Sequence, residues 1–267
     1  MKGQATEWKR LLFSAALFFA CQASATGATG AKVVLPEEIV VGRNLQAGVM
    51  IHLEAPPQAD AAGSVGARGI SEAEVPSDAP PTRLSVRSHS ALLKLAVRPA
   101  DLGASQITIL APAQNRSAVF FVQAFSDSGT ASYTVEAPGY ESATGVVRFA
   151  PSGVVILGPA NISIESGGVK LHIRTVALDT QSQLDPLCAQ PLVGDKPLSV
   201  LIRNGNPSVG TLPPTGVIKP GSDSGTLEFV PAAPGVTTVS VDQPPGWATP
   251  NDMTRLDITV RRGDGDS

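Results

Sequence analysis

The side chains able to do chemistry are few and scattered. The 267 residues hold three histidines, His52, His89 and His172. His52 alternates with Ile51 and Leu53, and His172 with Leu171 and Ile173, which predicts solvent-facing positions on two strands. His89 lies between Ser88 and Ser90, a loop signal. No His-x-x-x-His or Cys-x-x-Cys spacing occurs, so zinc has no ligand pattern. Cys188 sits among Leu187, Ala189 and Gln190 with no base beside it to favour a thiolate, and reads as a packed or loop thiol. The nucleophile patterns G-x-S-x-G and S-x-x-K are absent. Gly63 to Gly69 is glycine-rich but lacks the Gly-Lys-Ser/Thr ending of a phosphate cradle. Acidic residues mostly alternate with apolar ones or occupy turns, where solvated carboxylates belong. None of these patterns asks for a cofactor.

Two aromatic residues stand apart. Tyr140 and Trp247 each follow a Pro-Gly dipeptide. Exposed rings there would form a binding tip that stacks on sugars; packed rings would plug the end of a sandwich. In the charged tail, Arg262-Gly263-Asp264 spells a tripeptide used by some integrin ligands, and chance is the better account of it. Asp264 and Asp266 alone fall short of the 6–8 oxygens that calcium takes.

The elements that must position these residues read as strands. Leu84 and Val86 alternate with Arg83, Ser85 and Arg87. Ile107 and Ile109 form another such set, as do Tyr133 and Val135, and Leu198, Val200 and Ile202. Val239 with Val241, and Leu256, Ile258 and Val260, complete it. No stretch after the N-terminus carries a helical period. Gly 26 and Pro 23, with only 16% charged residues, exclude a coiled coil, and the glycines lack the collagen period.

An internal repeat organises the strands. Phe121-Val122 and Phe229-Val230 are 108 apart, Gly129 and Gly235 are 106 apart, and the Pro-Gly-aromatic endings at Tyr140 and Trp247 are 107 apart. A period near 107 residues matches one immunoglobulin-like sandwich. The expected fold is therefore all-β: two tandem immunoglobulin-like β-sandwiches, residues 26–150 and 151–262, with a tail at 263–267. The first carries a mobile insertion from Ala55 to Pro81, rich in Ala, Pro, Gly and Ser. A period this short leaves little room for a linker near Pro151, so the units are expected to abut.

Residues 1–25 read as a secretory signal: Lys2, Lys9 and Arg10, then the apolar Leu11–Ala20, then Ala23-Ser24-Ala25. The apolar run is too short to span a bilayer. Cys21 offers a competing lipid-attachment reading that would anchor the protein. Cleavage after Ala25 removes Lys2, Lys9, Arg10 and Glu7 and moves the formal charge from −3 to −5. That argues against nucleic acid as a partner.

Ile39-Val40-Val41-Gly42, Phe120-Phe121-Val122-Gln123, Ala137-Pro138-Gly139-Tyr140 and Ala150-Pro151-Ser152-Gly153-Val154-Val155 resemble bacterial secreted and surface proteins built from tandem immunoglobulin-like repeats. Asn206-Pro207-Ser208-Val209-Gly210-Thr211 and Phe229-Val230-Pro231-Ala232-Ala233-Pro234-Gly235 carry the same likeness in the second unit. The resemblance implies an exported, non-catalytic protein acting in cell-surface adhesion, assembly or scaffolding, with a protein or surface glycan as partner. It carries no active site and fixes no oligomeric state. Two other function classes compete: a carbohydrate-binding accessory protein using Tyr140 and Trp247, and an enzyme whose site is assembled at the junction of the units.

Overall fold

The computed structural model describes residues 30–54, 80–180 and 185–262. The expected signal segment with Cys21, positions 55–79 of the insertion, and the 263–267 tail lie outside them. Among the described residues, apart from a 3-10 turn at Ile164–Ser166, the regular structure is all strand.

The first half of the chain supplies β1 (Lys32–Val34), β2 (Glu38–Gly42), β3 (Gln46–Glu54), β4 (Thr82–Ser88), β5 (Leu93–Ala96), β6 (Gln106–Ala111), β7 (Ser117–Ala124), β8 (Thr130–Glu136) and β9 (Ala143–Ala150). They form two sheets, β1-β3-β7-β5 and β2-β9-β8-β4-β6. The second half supplies β10 (Ser152–Leu157), β11 (Asn161–Ser163), β12 (Val169–Asp179), β13 (Asp185–Ala189), β14 (Leu198–Asn204), β15 (Gly210–Thr211), β16 (Thr215–Ile218), β17 (Ser224–Pro231), β18 (Gly235–Val241) and β19 (Arg255–Arg261). These repeat the same order, β10-β12-β17-β15 and β11-β19-β18-β14-β16, with β13 added beside β12. The immunoglobulin-like architecture is thus present twice.

Alternation builds each core. Leu84, Val86, Tyr133, Val135 and Phe120 are buried in the first cluster, while Arg83 and Arg87 face water. Val200, Ile202, Val239, Leu256 and Ile258 are buried in the second. The two clusters share no residue. The Tyr133 ring meets Phe120 edge-on, with centroids 5.4 Å apart and planes at 76°, a favoured aromatic geometry. Across the ladder, Tyr133 faces Gly145. A Cβ at Gly145 would fall 2.2 Å from that ring, so only glycine leaves the ring its space.

The repeat is real but its register differs from the expected one at one anchor. β7 and β17 begin 107 residues apart and end 107 apart. Val122, not Phe121, therefore corresponds to Phe229. Phe229 points into the second core. Phe121 is buried on the outer face of its sheet, outside the first core cluster. A slip of one residue in a strand exchanges its faces, and the shared Phe-Val word hid that slip.

Candidate functional site

Pro151 alone separates β9 from β10. The turn Gly42–Gln46 prepares the first unit to receive the second. Asn44 takes a left-handed φ of 60°, which asparagine tolerates better than most residues. The Leu45 N–H donates to the Gly42 carbonyl at 2.9 Å and closes the turn. A Cβ at Gly42 would lie 2.5 Å from Ser152 Oγ, so glycine permits the close approach. The Ser152 hydroxyl, itself buried, donates to the Arg43 carbonyl at 2.7 Å.

Residues 190–193 reach back from the second unit as a segment bridged at Leu192 and held on both sides. Toward the first unit, Gln46 N–H donates to the Pro191 carbonyl and Val193 N–H to the Asn44 carbonyl, both at 3.0 Å. Leu45 pairs with Leu192, and both are buried. Toward its own unit, Leu192 N–H donates to Ser222, and Gly221 N–H donates to Leu192, each at 2.9 Å. The Thr175 hydroxyl donates to the Gln190 carbonyl at 2.7 Å.

Three glutamines fasten this contact. The buried Gln190 amide lies along the free side of β2: its Nε2 donates to the Val40 carbonyl at 2.8 Å, and its Oε1 accepts from Gly42 N–H at 2.9 Å. One side chain thus does for β2 what a neighbouring strand would do. Gln46 and Gln123 are fully buried and joined, with Gln123 Nε2 donating to Gln46 Oε1 at 3.2 Å. Gln46 Nε2 also donates to the carbonyls of Pro99 and Leu192. Gln123 donates to the Asp101 carbonyl at 2.9 Å and accepts from Gly103 N–H at 3.0 Å. Buried amides satisfied on both ends hold geometry tightly, because each lost partner leaves a costly orphan. The centre of the junction holds neutral groups, and the ion pairs Arg43–Asp127 and Arg174–Asp223 stand at its margin. The arrangement suits rigid attachment.

The residues singled out for chemistry are not brought together here. His52 is exposed beside Ser117, 3.1 Å away, and His89 is exposed beside Thr134, 2.7 Å away. His172 is exposed on β12. Cys188 is half-buried, with Sγ 3.5 Å from Gln190 Nε2. Among the described residues no group of three His, Cys, Asp or Glu side chains could hold a metal ion, and no helix is long and apolar enough to cross a membrane. Shallow grooves run beside Arg203, Asn204, Ser240, Asp242 and Arg255. There the Arg203 guanidinium hydrogen-bonds the Asp242 carboxylate and holds it below its ordinary pKa.

Tyr140 and Trp247 occupy matching corners of separate units. Tyr140 N–H donates to the Ala137 carbonyl at 3.2 Å and Trp247 N–H to Pro244 at 3.0 Å, with Gly139 at φ 80° and Gly246 at φ 79°. Each is a tight turn that needs glycine before the ring. Both rings are half-buried, one packed on each core. The chain flanking each corner covers a sheet edge. Val33 on β1 bonds Glu141. On β10, the Gln243 amide takes both the N–H and the carbonyl of Val154, at 2.7 and 2.8 Å, and Ile156 N–H donates to Met253.

Sequence reasoning missed the three junction glutamines. Their signal was available: Gln123 sits inside the apolar run Phe120–Ala124, and Gln46 opens the run ending at Leu53. A lone amide in such a run marks a buried hydrogen-bonding site.

No family model matches the chain, and no curated protein matches it. Solved structures give weak likenesses. The surface-layer protein SbsC, domains 5–6, is 12% identical, with 87% of this chain and 97% of that one covered and a TM-score of 0.29. Invasin, a bacterial integrin-binding protein, is 14% identical over 86% of this chain and 39% of that one, TM-score 0.31. A Salmonella alpha-2-macroglobulin is 12% identical over 88% of this chain and 17% of that one, TM-score 0.31.

Proposed function

We propose that this protein is an exported, non-catalytic scaffold whose two immunoglobulin-like units, residues 26–150 and 151–262, act as one stiff spacer in surface adhesion or assembly. The observation that carries the reading is the junction. A one-residue linker, a segment at 190–193 hydrogen-bonded to both units and buried Gln46, Gln123 and Gln190 restrain the hinge that tandem domains ordinarily keep. Stiffness is useful to a spacer because it projects a binding surface at a fixed distance. The scattered, exposed histidines and the packed corner rings give this reading further support over catalysis or sugar stacking.

Fractionation of producing cells, with the N-terminus mapped by mass spectrometry, tests the exported role. A start at Thr26 is the expected result. A lipid on Cys21 would place the same spacer on a membrane anchor. An intact Met1 in the cytoplasmic fraction would overturn the reading.

A further inference from the structure

Sheet edges invite pairing with other chains unless something covers them, and this molecule covers nearly all of its own. β1 is covered by the chain after its corner, β10 by the chain on both sides of its corner, and β2 by the Gln190 amide. β5 is closed by its bridge from Leu95 to Ala104. β13 contains Pro186, which has no N–H to offer, and β11 and β15 are very short. In β16, the Val217 carbonyl packs on Gly225, where a Cβ would fall 2.2 Å from it.

Among the described residues β6 is the exception. Ser88 N–H donates to Ser105, which sets the alternation of the β4–β6 ladder. Ile107, Ile109 and Ala111 therefore bond β4, and the backbone groups of Gln106, Thr108 and Leu110 point away from it. Among the described residues nothing caps these three. The position matching Gly225 is Ala118, so the first unit carries a methyl group where the second has none.

We propose that β6 is a self-association edge, and that two copies of this chain pair there antiparallel about a two-fold axis at Thr108. The strand Gln106-Ile107-Thr108-Ile109-Leu110-Ala111 carries no charge, so a two-fold brings no like charges face to face. In this register Gln106 meets the partner's Leu110, and Thr108 meets the partner's Thr108. Ile107, only half-buried at the rim of the first core, is covered by the partner's Ile109. Leu110, at 55% exposure, gains a neighbour. A two-fold consumes the open edge on both copies, and among the described residues the other edges are covered, very short or interrupted by proline, so assembly stops at two instead of growing into a fibre. The inference stands on edge geometry and does not depend on the surface role.

The area joined is small, so the expected association is weak in solution and strengthened by display at high local density. Sedimentation equilibrium on the full chain, with Cys21→Ser and Cys188→Ser in place, tests it. Thr108→Pro removes only an outward N–H and leaves the β4 ladder intact; Thr108→Lys adds a charge at the axis. Each is expected to weaken dimerisation roughly tenfold or more, with the melting curve unchanged. Thr108→Cys in the same background is expected to form a disulfide dimer under mild oxidation, because opposed bonded residues lie within disulfide range. Thr144→Cys, on the same sheet away from the edge, is expected to stay monomeric. The proposal is overturned by a monomer at every concentration, by a dimer that survives both Thr108→Pro and Thr108→Lys, or by equal cross-linking of Thr144→Cys. A monomer that instead takes up an unrelated extended peptide at this edge also overturns it.

Discussion

The two sandwiches share one strand order yet solve the same local problems with opposite residues. In the first, Tyr133 on β8 faces Gly145 on β9; in the second, Val239 on β18 faces Leu256 on β19. Large against small fills the layer in one unit, and medium against large fills it in the other. Close packing fixes the volume of each pair and leaves its division free. The edges differ in the same way. Gly225 lets the Val217 carbonyl of β16 sit close on β17, whereas alanine, Ala118, stands in the matching place on β7 beside β6. Topology is therefore set by the pattern of faces, while small residues set how closely neighbouring strands approach.

The largest effect should come from forcing one solution onto the other. Gly145→Leu drives a side chain into the Tyr133 ring and is expected to cost about 3 kcal/mol in denaturant unfolding. Combining it with Tyr133→Val copies the second unit's pairing and should recover more than half of that loss. A double variant no more stable than the single would show that the two layers are not interchangeable.

Next in size is Gly225→Ala. Its methyl would press on the Val217 carbonyl and is expected to cost about 2 kcal/mol in the second unit, with faster amide exchange along β16. Unchanged exchange would mean that β16 is not closed by this contact.

A smaller change is expected at Tyr133, whose hydroxyl is buried without a hydrogen-bond partner among the described residues. Burial pushes that phenol well above its ordinary pKa. Tyr133→Phe keeps the ring against Phe120 and removes the orphan, so it should be neutral or stabilise by about 1 kcal/mol. A clear loss of stability would reveal a partner for the hydroxyl.

Smallest is the exposed pair Arg203–Asp242. The guanidinium hydrogen bond lowers the carboxyl pKa, so any stabilisation is present above the unfolded value and fades as pH falls through the folded one. An NMR titration should place Asp242 below an ordinary aspartate, and Arg203→Ala should return it to the ordinary range. No change in that variant would assign the shift to another group.

Much of the fold was legible in the residues. Period-2 alternation placed Leu84 and Val86, Leu198, Val200 and Ile202, and Leu256, Ile258 and Val260 inward, as found. The Pro-Gly-aromatic words marked real corners, because Gly139 and Gly246 supply a positive φ that few residues adopt. The Phe121–Phe229 register was not legible, since a two-residue word does not say which face it occupies. The junction was legible only as adjacency. Gln190 meets Val40 and Gly42 across about 150 positions of chain, and no local pattern specifies a partner that far away. The exposure of His52 and His172 followed from alternation and that of His89 from its flanking serines, whereas the covering of β1 and β10 by the segments flanking Tyr140 and Trp247 needed the fold.

The central claim is that the junction makes one stiff body of two units. Residual dipolar couplings measured across both sandwiches test it most directly. The account expects a single alignment tensor to fit the couplings of residues 30–54, 80–150 and 152–262 together. It also expects Gln190→Ala, which uncaps Val40 and Gly42 at a cost of about 2 kcal/mol, to split the fit into two tensors. Two independent tensors in the unmodified protein would contradict it.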